Sequence, residues 1–263
     1  MRRRDVGGGS QTHGIARRAL LRGAVGVAAL ASMPARALGP GSELDVAEIA
    51  LPRGTVSRPE AWSRLLFELI QSTSVEAEPR AVQLAPDDPE LFRHPFAVLA
   101  GDGAFPGLSD AAVQQLGRYL QYGGFLLIDD TTGERDSAFD ASVRALVRRL
   151  FPTRPLAPLS TDHSVYRSFF LLREAVGRVA LHKRLEGVAQ GSMHPLVYCR
   201  DDLSGALDRR ADGANRNACV PDGESQRREA VKLGVNIVMY ALTSNYKQDQ
   251  AHVDQLMREG RLE

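Results

Sequence analysis

The sequence predicts an α/β domain built on a mostly parallel sheet, and three observations carry that prediction. Pro95–Ala100 and Phe125–Ile128 are continuous rather than alternating apolar runs, the pattern of strands covered on both faces. An amphipathic helical stretch separates them, which gives the strand–helix–strand order of a layered α/β fold. Gly101-Asp102-Gly103 and Gly123-Gly124 punctuate this unit where the chain has to turn.

The remaining elements follow in order. Glu43–Ala50 reads as a first strand with Leu44, Val46 and Ile49 on apolar positions, stopped by the Pro52-Arg53-Gly54 turn. Pro59 suits the first position of a helix in which Trp62, Leu65, Leu66 and Leu69 recur at helical spacing. Ala81–Ala85 is a short strand, and the loop 86–89 leads into one helical turn around Leu91. The central helix spans Ser109–Tyr122: Ser109 caps it, Leu108 stands at the staple position, and Ala112, Val113, Leu116, Tyr119 and Leu120 form the buried stripe. A further helix, Phe139–Phe151, turns Val143, Leu146, Val147 and Leu150 inward and Arg144, Arg148 and Arg149 outward. After an irregular proline- and aromatic-rich stretch, Leu185–Gln190 and Pro195–Cys199 pair as a hairpin. The polar segment 201–222 reads as a surface excursion, and Ser225–Leu242 as a closing helix with Val231, Val235, Val238 and Leu242 aligned. This divides the chain into a leader (1–37), one α/β domain (38–246) and a charged helical tail (247–263).

The leader carries an address. Seven arginines against the single acid Asp5 give residues 1–37 a local charge of +6, and subtracting it from the formal +1 leaves the body near −5. A mildly acidic body argues against nucleic acid as a partner. Within the leader, Arg17-Arg18 precedes Leu20-Leu21-Arg22, a short Gly/Ala-rich apolar stretch and Ala35-Arg36-Ala37. This arrangement resembles a twin-arginine signal, read by the bacterial Tat export machinery and cleaved after Ala37. The expected product is periplasmic or secreted with no transmembrane anchor in the mature chain. Cys199 and Cys219 are too few for a disulfide framework, although an oxidising compartment permits one bridge.

Several blocks together carry a family resemblance: Ala100-Gly101-Asp102-Gly103, Tyr119–Asp130 (YLQYGGFLLIDD), Phe151-Pro152 with Pro158-Leu159, Asp162-His163 and Ala230–Leu242 (AVKLGVNIVMYAL). They resemble the bacterial domain of unknown function 4159 family. That resemblance implies a three-layer α/β/α sandwich similar to the class I glutamine-amidotransferase-like superfamily, of flavodoxin-like architecture. Catalytic members of the superfamily present a Cys nucleophile on an elbow after the strand that follows the GG turn. Here Ile128-Asp129-Asp130 stands in that place, and the chain has no G-x-S-x-G elbow.

Chemistry, if present, therefore falls on acids and histidines. Asp102 and Asp129 follow successive parallel strands, whose carboxyl ends border the usual ligand crevice. Asp130 and His163 are expected beside them, so all four are candidate ligand-binding residues, with Asp129, Asp130 and His163 as catalytic candidates. Asp102, Asp129 and His163 also make an oxygen-plus-imidazole set suited to a divalent metal. The plainer reading has the acids accepting backbone N–H groups in the loops that follow the strands. His194 is a secondary candidate, His94 is not assigned chemistry, His182 beside Lys183 and Arg184 is expected to be solvated, and Asn236 is expected to satisfy a buried loop carbonyl. Gly101, Gly103, Gly123 and Gly124 are expected as structural turns.

The leading expectation is an exported cell-envelope binding or assembly module that lacks the superfamily's nucleophile, uses no cofactor and has an envelope protein or glycan as partner. The alternative is a metal-assisted hydrolase using Asp102, Asp129 and His163. Enzymatic activity is left open by the sequence.

Overall fold

The computed structural model describes residues 44–191 and 193–258, with side chains up to Ser244. The leader, 1–37, lies outside the described residues. Seven strands form one sheet in the order β2-β1-β3-β4-β7-β6-β5: β1 (Leu44–Ile49), β2 (Ala77–Leu84), β3 (Phe96–Gly101), β4 (Phe125–Asp130), β5 (Ala157–Pro158), β6 (Glu186–Gln190) and β7 (Met193–Cys199). The pairings from β2 through β7 are parallel, and β6 and β5 add an antiparallel end. Helices α1 (Pro59–Ser72), α4 (Leu203–Leu207) and α5 (Gly223–Arg258) cover one face, and α2 (Asp110–Gln121) and α3 (Ala138–Leu150) the other. The result is the expected three-layer α/β/α arrangement.

Strand alternation builds the two cores. Leu44, Val46, Phe96, Val98, Phe125, Leu127 and Val197 pack toward α1 and α5 with Trp62, Leu65, Leu66 and Val238. The intervening Ala47, Ile49, Ala97, Leu99, Leu126, Ile128 and Tyr198 pack toward α2 and α3 with Leu116, Tyr119, Phe139 and Val143. Strands buried on both sides need apolar residues at nearly every position, which is why the two continuous runs were legible. Ser109 accepts from Ala112 N at the start of α2, and Ser137 caps α3 by accepting from Asp140 N.

Three elements differ from the sequence expectation. β2 starts at Ala77 because it is an edge strand, half exposed, and so its first residues carry no apolar run. The helix expected to end at Leu242 continues to Arg258, absorbing most of the predicted tail, of which 259–263 lie outside the described residues. The expected surface excursion 201–222 is instead partly interior: Asp201, Asp202, Ser204 and Asp208 are buried, and α4 is buried along its whole length. Polar composition suggested exposure, whereas each of these groups is hydrogen-bonded by backbone or arginine.

The glycines at and after the end of β3 separate by what surrounds them: Gly101, expected in the turn, is the last residue of the strand. A Cβ on Gly101 would lie 2.2 Å from the Gly54 carbonyl oxygen and 2.2 Å from a Phe139 ring carbon, while one on Gly103 meets nothing within 4 Å. Gly101 is thus required by close backbone approach, and Gly103 is not. Gly123 terminates α2 in the left-handed region, and Gly124 lies against the Tyr119 ring. Gly101→Ala is expected to destabilise the domain by about 2 kcal/mol or more, and Gly103→Ala by less than about 0.5 kcal/mol. Urea unfolding of the two variants checks this, and equal midpoints would contradict it.

Candidate functional site

At the carboxyl ends of the parallel strands, alternation turns adjacent acids in opposite directions. Asp129 shares the side of Phe125 and Leu127 and faces α4; Asp130 shares the side of Leu126 and Ile128 and faces α3. Asp129 is fully buried, and its Oδ1 and Oδ2 accept the backbone N–H groups of Leu203 and Ser204, each at 2.8 Å. Asp130 accepts from Thr132 N at 3.0 Å, Thr132 Oγ1 at 2.6 Å, the Ser137 hydroxyl and, at 3.3 Å, the Tyr198 hydroxyl. Both acids therefore organise the start of a helix or the turn before it.

The partner of Asp129 is Asp202 rather than Asp102. Asp202 caps α4 from a left-handed backbone position (φ 55°), which Asp tolerates better than most residues, and accepts Gly205 N at 2.9 Å. Two guanidiniums converge on it: Arg58 Nη1 at 2.6 Å and Arg178 Nε. Burial, and next the Asp202 carboxylate, hold the Asp129 carboxyl up to about 6, against the lowering effect of its hydrogen bonds from Ser204 and the nearby Arg58. Asp102 is exposed on the loop after β3, outside this cluster. Glu48, at the end of β1, accepts from Trp62 Nε1 at 2.8 Å, Arg58 N at 2.7 Å and Ser57 Oγ at 2.6 Å, and so ties Arg58 into place. Cys199 is aligned with Asp129 across β4 and β7. Its thiol is buried and free, and burial followed by the Asp129 charge pushes it well above the ordinary thiol range, so it stays protonated and inert. Cys219 is also buried and free.

His163 stands apart from the acids, at the start of a 3-10 turn (Ser164–Arg167). Its Nδ1 accepts from Val165 N at 3.2 Å, which places the proton on Nε2; that nitrogen lies 3.0 Å from His194 Nδ1. Burial, then the neighbouring His194, lowers His163 to about 4, and burial lowers His194 as well. The two imidazoles are thus a neutral pair, with His163 packed edge-on against the Tyr240 ring. His182, expected to be solvated, is instead mostly buried and binds Asp201 through Nδ1 at 2.9 Å, and His94 binds buried Asp45 through Nδ1 at 2.5 Å.

Asp102, Asp129 and His163 are consequently not brought together. Among the described residues no three His, Cys, Asp or Glu side chains are grouped to hold a metal ion. The residues that sequence reasoning missed are Arg58, Arg178, Asp201 and Asp202. A local signal marked only Asp202, whose place three residues before Gly205 fits an N-cap; Arg58, Arg178 and Asp201 had none. A depression of about 370 Å³ between the 104–108 loop and α3 is lined mainly by carbon, and Arg149 beside it is spent on Leu108 O and Asp110.

A family model described as a domain of unknown function (DUF4159) matches residues 46–242. No curated protein matches the chain.

Proposed function

We propose that the chain, which belongs to the DUF4159 family, is an exported cell-envelope binding or assembly module, a nucleophile-free relative of the class I glutamine-amidotransferase-like superfamily. The single observation that carries this reading is the occupation of Asp129: both of its oxygens are consumed by the start of α4, in the place where a working site would present a reactive group. The strand order supports the flavodoxin-like part, since the parallel strands run β2-β1-β3-β4 and then β7. In such sheets the ligand crevice opens between the loops after β1 and β3. Here those loops close on one another, with Val56 N donating to Ala100 O at 2.9 Å and Gly101 against the Gly54 carbonyl.

The twin-arginine leader supports export by the Tat pathway to the periplasm or beyond. No described helix is long and apolar enough to cross a membrane. The partner is an envelope component met by the outer surface of the domain rather than by the filled crevice.

A panel of ester, amide, phosphate and glycoside substrates, with and without zinc or manganese, tests the module against the metal-assisted hydrolase. The expected result is no turnover above buffer by wild type. Turnover that Asp129→Asn abolishes would overturn the reading. Export is tested separately: Arg17→Lys with Arg18→Lys is expected to leave uncleaved precursor in the cytoplasm, and normal processing of that variant would exclude the twin-arginine route.

A further inference from the structure

We infer that the loop 167–173 is an interfacial anchor that inserts its apolar tip into an anionic lipid surface. Phe169-Phe170-Leu171-Leu172 is an apolar run in a loop, and its members divide sharply. Phe170 packs against the core and Leu172 is buried, while Phe169 is 43% exposed and Leu171 85% exposed. An isolated exposed leucine carries no meaning. This tip is different because interior structure is spent on holding it out.

The holding group is Asn236 of α5, fully buried inside an otherwise apolar helix face. Its Oδ1 accepts from Phe169 N at 3.2 Å and Phe170 N at 2.7 Å, and its Nδ2 donates to Phe170 O at 2.8 Å. The loop is closed below by Leu172 N donating to Tyr166 O at 2.8 Å, and the Phe169 ring stands perpendicular to the Phe170 ring at 4.8 Å. The backbone of the tip is therefore ordered before any partner arrives, and association does not have to order it.

Charge around the tip names the partner. Arg167 and Arg173 flank it in sequence and are exposed. Lys183 and Arg184, also exposed, adjoin through the Ala175 N to Lys183 O hydrogen bond. The acids of the same segments are Asp162 and Glu174, the latter 3.4 Å from Lys183. The balance is two positive charges around an exposed apolar tip. A protein groove would have to be complementary in shape to this tip. A bilayer interface needs only hydrocarbon for Phe169 and Leu171 and headgroup phosphates for the guanidiniums. The inference deepens the binding reading by naming a partner, and its test with vesicles succeeds or fails apart from the turnover and export assays.

The test uses the full chain carrying Leu171→Trp. Trp62, the single native tryptophan, is fully buried and gives a constant background. With phosphatidylglycerol vesicles the introduced indole is expected to shift its emission to the blue and to be quenched by lipids brominated along the acyl chain. Adding Arg167→Glu and Arg173→Glu is expected to raise the lipid concentration required by roughly tenfold or more, and phosphatidylcholine vesicles to give little response. Because the probe sits at the tip, attachment through the basic leader does not imitate the signal. An unshifted, unquenched indole on chain that sediments with the vesicles, or on chain that stays free, would overturn the inference. So would an equal response to neutral and anionic vesicles, or an unchanged lipid requirement in the double glutamate variant.

Discussion

Asp202→Ala is expected to lower the free energy of unfolding by about 3 kcal/mol or more, among the largest effects of any single substitution outside the cores. Asp202 is fully buried, and its removal leaves the guanidiniums of Arg58 and Arg178 facing one another without their anion. The Gly205 N–H at the start of α4 loses its acceptor as well. Asp202→Asn keeps an acceptor for Gly205 and tolerates the left-handed backbone, so about half that cost is expected. Both variants also remove the carboxylate that raises Asp129, so Asp129 should titrate lower in them. Urea midpoints give the stabilities, and carbon-detected NMR of the Asp129 carboxyl gives the titration. A loss below about 1 kcal/mol for the alanine variant would mean that Arg58 and Arg178 find solvent without penalty and that the cluster is not a structural centre.

Asp129→Asn and His163→Asn are expected to bend the pH dependence of stability in opposite directions. The Asp129 carboxyl is held up to about 6, above its unfolded value near 3.8, chiefly by burial. Its contribution is therefore fully present below about pH 4 and lost as pH rises through 6, on the order of 2 kcal/mol. His163 is lowered to about 4 from 6.5. The stability it contributes is present above pH 6.5 and lost as pH falls through 4. Its ring is only half-buried, so solvent screening reduces the effect to about 1 kcal/mol. In wild type the two contributions oppose one another between pH 4 and 6.5. Asp129→Asn removes the acid-favoured contribution and should lose stability more steeply on acidification. His163→Asn keeps an acceptor for Val165 N, removes the imidazole, and should lose less, or gain, over the same interval. Midpoints measured at half-unit steps from pH 4 to 7 decide it; parallel curves for all three proteins would refute both assignments. At neutral pH, Asp129→Asn carries a further cost of about 1–3 kcal/mol, because an amide supplies one acceptor where two backbone N–H groups need two.

How much of this was legible depended on the distance over which each feature is encoded. The strand–helix–strand centre was readable because burial on both faces writes itself as an uninterrupted apolar run, 95–100 and 125–128, and helix burial as a repeat such as Ala112, Leu116, Tyr119 and Leu120. The Ser109 cap was readable because its partner, Ala112 N, lies within one turn, and Pro59 because its ring suits the first helical position without any partner. Asn236 was readable as the donor to a buried loop carbonyl, though not which loop it meets nor that its Oδ1 accepts two N–H groups there, since Phe169 and Phe170 are more than sixty residues away in the chain.

The sequence by itself determined the α/β class, the order of the central elements, the family resemblance and the presence of acids at the carboxyl ends of β3 and β4. Tertiary structure decided what those acids do. Alternation placed Asp129 and Asp130 on opposite faces of one strand, the approach of α4 gave Asp129 two backbone donors, and Asp102 was left exposed on its loop. It also carried the polar segment 201–208 into the interior, because buried carboxylates are tolerable once Arg58, Arg178 and backbone N–H groups from distant parts of the chain satisfy them. Composition records that such residues are polar; only the assembled fold supplies the partners that let them be buried.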